Sequence, residues 1–326
     1  MKKNLYLFLA FCVGFGFFQT QASAQQDAQF SQYMFNTLYF NPATAGRNSD
    51  FIEMGAVYRS QWAGYTATFD QGGAPATQVV SISAPLNRIN SGIGLHLAVD
   101  RLGPLSSTEV MLSYAYHVAL KNEGKLSIGL RAGVYNQAID FSLYRPNEAG
   151  DPNIPQGGKE NQFKPDLSAG IFYENPKFFA GAGITHLLPT QFNYGTQINI
   201  SSLTTHANLM VGGKFDLTES LFFSPSAMLQ TDFNTFSYQG NALFTLQDRY
   251  HLGLGARASN AFDDAILMVG ANLLEKKDLR IMYSFDLVVS GQPAKQPTSH
   301  EVTIGFRLPA PSPAILPTQR TTRFRF

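Results

Sequence analysis

The chain has 326 residues, of which 14% are charged and 44% apolar, and its formal charge of +1 becomes −1 once Lys2 and Lys3 are removed with a signal peptide. A near-neutral mature chain lacks the basic excess that nucleic-acid-binding proteins usually carry. The single cysteine, Cys12, lies within the predicted signal peptide, which excludes disulfides and cysteine metal sites from the mature protein.

Residues 1–24 predict an export signal. Lys2 and Lys3 precede an apolar stretch from Leu5 to Phe18, and Ala22-Ser23-Ala24 offers the small residues of a cleavage site. A membrane anchor is the alternative, but this stretch is shorter than the roughly 20 residues that a spanning helix needs. We therefore expect an exported chain whose mature form begins at Gln25.

Residues 25–48 predict a short helix or turn ahead of the first strand, with Asp27 as a candidate cap. Five residues recur there at helical spacing: Phe30, Tyr33, Met34, Thr37 and Leu38. We expect the segment to enter or close the periplasmic mouth of a barrel as a plug. A poorly ordered leader is the alternative, because chain termini are often disordered.

Residues 49–308 predict a β-barrel, and the stretch 107–120 shows the pattern best. Leu112 and Tyr114 fall on one face, and Ser113 and Ala115 fall on the other. In a transmembrane barrel the apolar face meets lipid and the small or polar face lines the lumen. Fourteen strands are predicted, at 50–60, 76–84, 91–100, 107–120, 124–137, 166–174, 177–187, 203–215, 220–230, 236–246, 249–258, 262–272, 278–288 and 299–308.

The predicted connections support this topology. The four long ones follow odd-numbered strands, at 61–75, 138–165, 188–202 and 289–298. Outer-membrane barrels have long extracellular loops and short periplasmic turns. The fold class is therefore all-β, a transmembrane antiparallel barrel of the outer membrane. We expect both termini to be periplasmic, including the C-terminal tail 309–326.

Charged residues on the predicted lumen face form a second group of candidates. Such charges are tolerated at membrane depth when water or opposite charges solvate them. They either form an ion-pair network that fills the pore, which we favour, or line a selective channel: Asp100, Glu109, Arg131, Lys214, Arg257, Arg280, Asp286 and Arg307.

The connection 138–165 is long and rich in turn residues, which favours a partner-binding surface or a lid over the lumen. Its candidate residues are Tyr144, Arg145 and Asn147. The Asp and Asn residues of this loop suggest calcium only weakly, because they lack the alternating acidic ligands of an EF-hand loop. We therefore expect no metal site and no cofactor.

Several short motifs occur in one order over the first hundred or so mature residues. Residues 29–36 read Gln-Phe-Ser-Gln-Tyr-Met-Phe-Asn and residues 40–46 read Phe-Asn-Pro-Ala-Thr-Ala-Gly. Residues 58–62 (Tyr-Arg-Ser-Gln-Trp), 73–78 (Gly-Ala-Pro-Ala-Thr-Gln), 92–95 (Gly-Ile-Gly-Leu) and 100–104 (Asp-Arg-Leu-Gly-Pro) follow. This combination resembles the PorP/SprF family of the type IX secretion and gliding machinery of Bacteroidetes.

The resemblance implies an outer-membrane barrel that supports export or surface attachment of a secreted protein, such as an adhesin with its own C-terminal secretion domain. Implied partners are that protein and other periplasmic or outer-membrane secretion and gliding components. The resemblance places six residues in the plug motif: Phe30, Gln32, Tyr33, Met34, Asn41 and Pro42. It also makes Tyr58, Arg59, Gln61 and Trp62 candidates for gating the lumen or holding a partner, although we favour an anchor at the membrane interface as the role of Trp62.

Two other function classes stay open. A porin for small solutes would need an open, charged lumen. An outer-membrane enzyme would need a nucleophile or carboxylate cluster, and the sequence shows neither a His-Glu-x-x-His nor a Gly-x-Ser-x-Gly motif. The glycine pairs Gly92/Gly94 and Gly253/Gly255 fall within strands, where we expect them to face the lumen. We therefore predict a protein that is not an enzyme.

Overall fold

The computed structural model describes seven stretches of the chain: residues 27–65, 73–121, 123–143, 158–194, 201–259, 261–289 and 298–311. The predicted signal peptide, the candidate loop residues Tyr144, Arg145 and Asn147, and most of the predicted tail lie outside the described residues. Among the described residues, no helix is long and apolar enough to cross a membrane.

Fourteen antiparallel strands form a closed barrel, as the alternation predicts. The strands β1 to β14 comprise, in chain order, Phe51–Ser60, Ala76–Leu86, Ser91–Leu102, Leu105–Ala119, Lys125–Asp140, Lys159–Glu174, Phe178–Thr185, His206–Gly213, Leu221–Thr231, Phe236–Leu246, Tyr250–Ala258, Phe262–Leu273, Leu279–Val288 and Thr298–Pro309. Each strand pairs with its neighbours in sequence, and β1 pairs with β14 from Phe51 opposite Pro309 to Ser60 opposite His300. This last pairing joins the two ends of the sheet. Every barrel strand therefore has a paired neighbour on both sides over at least part of its length.

The two faces of the sheet follow the sequence pattern. On β4, Leu112 is 60% exposed and Tyr114 is 46% exposed, whereas Ser113 and Ala115 are fully buried. Large apolar residues therefore cover the outside, where lipid would remove them from water, and small or polar residues point inward. The assignment of faces from sequence is confirmed for this strand.

The ends of the barrel differ in their connections. The strands β1, β5, β7 and β13 are followed by long connections, and we call this the long-loop end. Tight turns such as the one between β6 and β7 lie at the opposite, short-turn end. After β7, a small hairpin of Thr190–Phe192 and Ser201–Leu203 packs Phe192 against Tyr135 on the inner face of β5, with ring centroids 6.0 Å apart.

The N-terminal segment occupies the interior of this barrel, and we call residues 27–48 the plug. It contains only short helical turns, at Tyr33–Phe35, Thr37–Phe40 and Pro42–Thr44, in place of the regular helix that the spacing favoured. Phe30, Tyr33 and Ala43 are fully buried, because strands surround the segment on all sides.

The plug runs along the barrel, starting at the long-loop end. Asp27 contacts His186, which directly follows β7, while Arg47 lies near Glu174 at the last residue of β6. Residues 27–48 thus extend through the interior from one end of the barrel to the other, beyond the single mouth that the sequence predicted the segment to enter or close. Asp27 also does not cap a helix: its carboxylate pairs with a histidine.

Glycines on the inner face make room for the plug. A Cβ atom added at Gly92 would lie 2.2 Å from the carbonyl oxygen of Ala45, and one added at Gly129 would lie 2.3 Å from the amide nitrogen of Ala43. At both positions the plug backbone is too close to leave space for a methyl group. The prediction that Gly92 faces the lumen is thus confirmed, and its reason is the close approach of another backbone.

Candidate functional site

A network of buried charges holds the start of the plug at Ser31. The carboxylate of Glu301 on β14 accepts the backbone N–H of Ser31 at 2.8 Å, and Asp286 on β13 accepts its hydroxyl at 2.6 Å. Arg59 on β1 forms ion pairs with both carboxylates, at 2.8 Å to Asp286 and 3.1 Å to Glu301. Because all these side chains are excluded from water, each charge depends on its partners for solvation.

The opposite side of Ser31 is bound by two further strands. Arg257 on β11 donates to the Ser31 hydroxyl at 2.9 Å and to Asp264 on β12 at 2.8 Å. The carbonyl of Ser31 accepts hydrogen bonds from the side-chain amides of Gln239 and Asn241 on β10. The N–H, hydroxyl and carbonyl of one plug residue are thus all satisfied by the barrel wall, which fixes its position.

Farther along the plug, its backbone carbonyls are held by side chains of other strands. Arg131 on β5 donates to the carbonyls of Leu38 and Tyr39. Asn208 on β8 donates to Phe40 at 2.9 Å. These bonds compensate the plug for having almost no regular secondary structure, since its buried backbone groups need partners from elsewhere.

The predicted plug-motif residues are all part of this packing. Gln32 donates its backbone N–H to Glu301 and its side-chain amide to the Glu301 carbonyl. Tyr33 donates to Ser226, Asn41 donates to the carbonyls of Ile171 and Ala182, and Pro42 begins a helical turn. Phe30 packs edge-on to Tyr39, and Met34 packs against two of the apolar clusters around the plug.

The four candidate residues within the Tyr-Arg-Ser-Gln-Trp motif do not form one surface. Tyr58 is 50% exposed on the outside of the barrel, whereas Arg59 is buried inside with the plug. Beyond the end of β1, the backbone N–H of Gln61 donates to Pro75 and that of Trp62 donates to the hydroxyl of Ser299. Arg59 therefore anchors the plug, while its neighbours close the long-loop end of the sheet.

Most of the predicted lumen charges lie in four places. Arg257 and Asp286 belong to the network around Ser31, while Arg131 holds the middle of the plug. Asp100 accepts a hydrogen bond from Thr77 at 2.6 Å. Arg280 and Arg307 line a cavity of about 310 Å³ at the short-turn end, where the Arg280 guanidinium lies 4.5 Å from the centre of the Phe35 ring.

Sequence reasoning missed several partners of these residues, namely Ser31, Asp264, Glu301, Asp27 and His186. The signal for Glu301 was available: it alternates with Val302 and Ile304, which face outward. For Ser31 and Asp27 no such signal existed, because the helical spacing of the plug marks its apolar side chains and not these two polar ones.

Comparisons with known proteins agree with this geometry. The family model described as Type IX secretion system membrane protein PorP/SprF matches residues 22–306. No curated protein matches the sequence.

Solved structures with a similar fold are outer-membrane barrels. The toluene transporter TbuX of Ralstonia pickettii superposes with a TM-score of 0.54 at 9% identity, over 84% of this chain and 93% of that one. The monoaromatic hydrocarbon channel CymD gives a TM-score of 0.52 at 12% identity, over 85% of this chain and 92% of that one. At these identities the similarity concerns the fold alone.

Proposed function

Because the chain belongs to the PorP/SprF family of type IX secretion system membrane proteins, we propose that this integral outer-membrane barrel supports the export or surface attachment of a secreted partner protein, which it binds through the partner's C-terminal domain. The observation that carries the proposal is the plug. A barrel whose interior is filled by its own chain suits a rigid platform for a protein partner better than a passage for solutes.

The way in which the plug is held supports this role. Ser31 and Gln32 form hydrogen bonds with charged side chains of four strands, β1, β11, β13 and β14, and the plug's carbonyls are bound by β5, β8 and β10. Removing it would deprive these buried charges of the hydrogen bonds that Ser31 and Gln32 provide, which is costly. The surfaces left for a partner are therefore the rims of the barrel and the strands that extend beyond it.

One such surface is the upper edge of β6, which we define as residues 159–167. Strand β6 pairs with β5 along its whole length, from Asp140 opposite Lys159 to Lys125 opposite Glu174. Its pairing with β7 covers only the span from Ala169 to Glu174. Among the described residues, no strand pairs with the upper edge of β6, and such an edge is a template for an added strand.

The direction of the backbone groups fits this use. The carbonyl of Leu167 accepts the N–H of Leu187, so odd-numbered residues of β6 point their backbone groups away from β5. Pro165 obeys the same parity, because a proline is tolerated where no N–H is needed for the ladder. Asn161 and Phe163 therefore present their N–H and C=O groups at the edge, and the Phe163 side chain is 65% exposed.

The proposal is tested by purifying the tagged protein from native outer membranes in mild detergent and identifying bound proteins by mass spectrometry. We expect a secreted protein with a C-terminal secretion domain, or other secretion components, to co-purify. The variant Phe163→Pro removes one edge N–H, whereas Phe163→Ala removes only the side chain and serves as the matched control.

We expect Phe163→Pro to lose the partner and Phe163→Ala to retain most of it. If both variants retained the partner, the binding surface would have to lie elsewhere on the barrel. A wild-type barrel that purifies alone even after chemical cross-linking, and that conducts ions steadily in planar bilayers, would contradict the platform and favour the porin.

A further inference from the structure

Three side chains with metal-binding atoms meet where the plug begins. Asp27 belongs to the plug, His186 directly follows β7, and His206 is the first residue of β8. One ligand atom from each lies within 4.8 Å of the other two. The Asp27 carboxylate is 3.1 Å from Nε2 of His186 and 3.7 Å from Nδ1 of His206.

We propose that Asp27, His186 and His206 bind a divalent transition-metal ion of the zinc type. Nitrogen and oxygen ligands at zinc distances and tetrahedral angles lie roughly 3.3 Å apart. The two distances from the Asp27 carboxylate, 3.1 Å and 3.7 Å, bracket this value. Two of the three ligand pairs are therefore already near the separation that a shared ion requires, and the third pair lies within 4.8 Å.

A fourth residue prepares His186 for this role. The carboxylate of Asp166 on β6 lies 2.8 Å from Nδ1 of His186. A carboxylate that accepts the Nδ1 proton fixes the ring orientation and leaves Nε2 free to bind the metal. The Nε2 atom is the one that faces Asp27.

The second histidine faces the site through Nδ1. His206 is 7% exposed, and its Nδ1 lies 3.7 Å from the Asp27 carboxylate and 2.9 Å from the carbonyl of Thr204. A metal bound to Nδ1 would replace the bond to Thr204, and the ring proton would then lie on Nε2.

The charges around the site favour a cation. A small cavity of about 20 Å³ adjoins the three ligands, and Glu109, Asp166 and Arg131 line it as well. With neutral histidines, three carboxylates face one guanidinium there, which leaves two negative charges that a divalent ion would neutralise. The cavity holds about one water molecule, which would fill the open coordination position.

The test uses the full-length barrel, purified in detergent, stripped with a chelator and then dialysed against micromolar zinc. We expect one zinc ion per chain by elemental analysis, and loss of this ion in Asp27→Asn and His206→Gln. Asp166→Asn should weaken zinc binding by about 10–100-fold, because it removes only the carboxylate behind His186. His251→Gln, which alters another buried histidine on β11, is the matched control and should keep the ion.

Folding of each variant is checked by its heat-dependent migration in gel electrophoresis. X-ray absorption of the zinc-loaded wild type gives a measurement that needs no variant, and two imidazole ligands are expected. The proposal is overturned if the wild type retains no more zinc than His206→Gln, or if His251→Gln loses as much as the ligand variants. In those cases the cluster is an ion pair between Asp27 and a protonated histidine.

Discussion

The guanidinium of Arg59 on the first strand lies 2.8 Å from the carboxylate of Asp286 on the thirteenth, and both side chains are almost completely buried. The same guanidinium also pairs with Glu301 on the last strand. A single side chain therefore links the strands on both sides of the barrel's closing seam, and it also donates to the hydroxyl of Ser31 in the plug.

Replacing Arg59 by Met should destabilise the protein by about 3–5 kcal/mol, because Asp286 and Glu301 would lose a buried partner. The free energy of unfolding, measured by urea titration of the barrel in lipid vesicles, checks this. Arg47→Met is the control, since its pair with Glu174 is 3.7 Å long and partly exposed, and such pairs contribute about 0–1 kcal/mol. Equal losses in the two variants would contradict the importance of the buried network.

The variant Gly129→Ala should destabilise the packed plug by about 1–3 kcal/mol, because its methyl group meets the plug backbone at 2.3 Å. Gly240→Ala is the control, since a Cβ atom there meets nothing within 4 Å. Thermal unfolding of both variants distinguishes them. A Gly129→Ala protein as stable as Gly240→Ala would mean that the plug can move away from β5.

Deletion of residues 27–48 should open the lumen, because the polar inner face would fill with water. We expect a larger and steadier current in planar bilayers than the wild type gives, and a decrease when a synthetic peptide of these residues is added back. An equally large current from the wild type would show that the plug does not block the barrel.

Substituting arginine for Leu112 or Leu130 should impair membrane insertion, since these side chains are 60% and 65% exposed on the outer face. A cation on the lipid face near the bilayer midplane costs about 2–4 kcal/mol. The yield of folded protein after insertion into vesicles measures the effect, with alanine at the same positions as the control. Normal yields of both arginine variants would reverse the assignment of faces.

The strands were predictable because each has a period of two that burial on one side enforces. The strand β6 is the exception, since it begins at Lys159 and not near residue 166 as predicted. Its first residues, Lys-Glu-Asn-Gln, have no apolar alternation. They still form a strand because their backbone pairs with β5. This part of the sheet lies outside the region whose outer face is apolar, so no alternation is needed there.

The interior was less predictable than the wall. The helical spacing of Phe30, Tyr33 and Met34 correctly indicated that these side chains are buried or partly buried, but it did not correspond to a regular helix. An amphipathic helix buries one face, whereas the plug is surrounded by strands and buries side chains in all directions. The cluster of Asp27, His186 and His206 has no local spacing at all, since only the closing of the barrel brings its residues together. For this reason nothing in the sequence grouped these three residues.

The plug precedes every strand in the chain and yet lies inside all of them. The pairing of β1 with β14 is made by the last residues of the barrel, so the interior is synthesised first and enclosed last. We expect this order to govern biogenesis: the strands wrap around a segment that is already in place, and a plug that misses its position would be shut out when the seam closes.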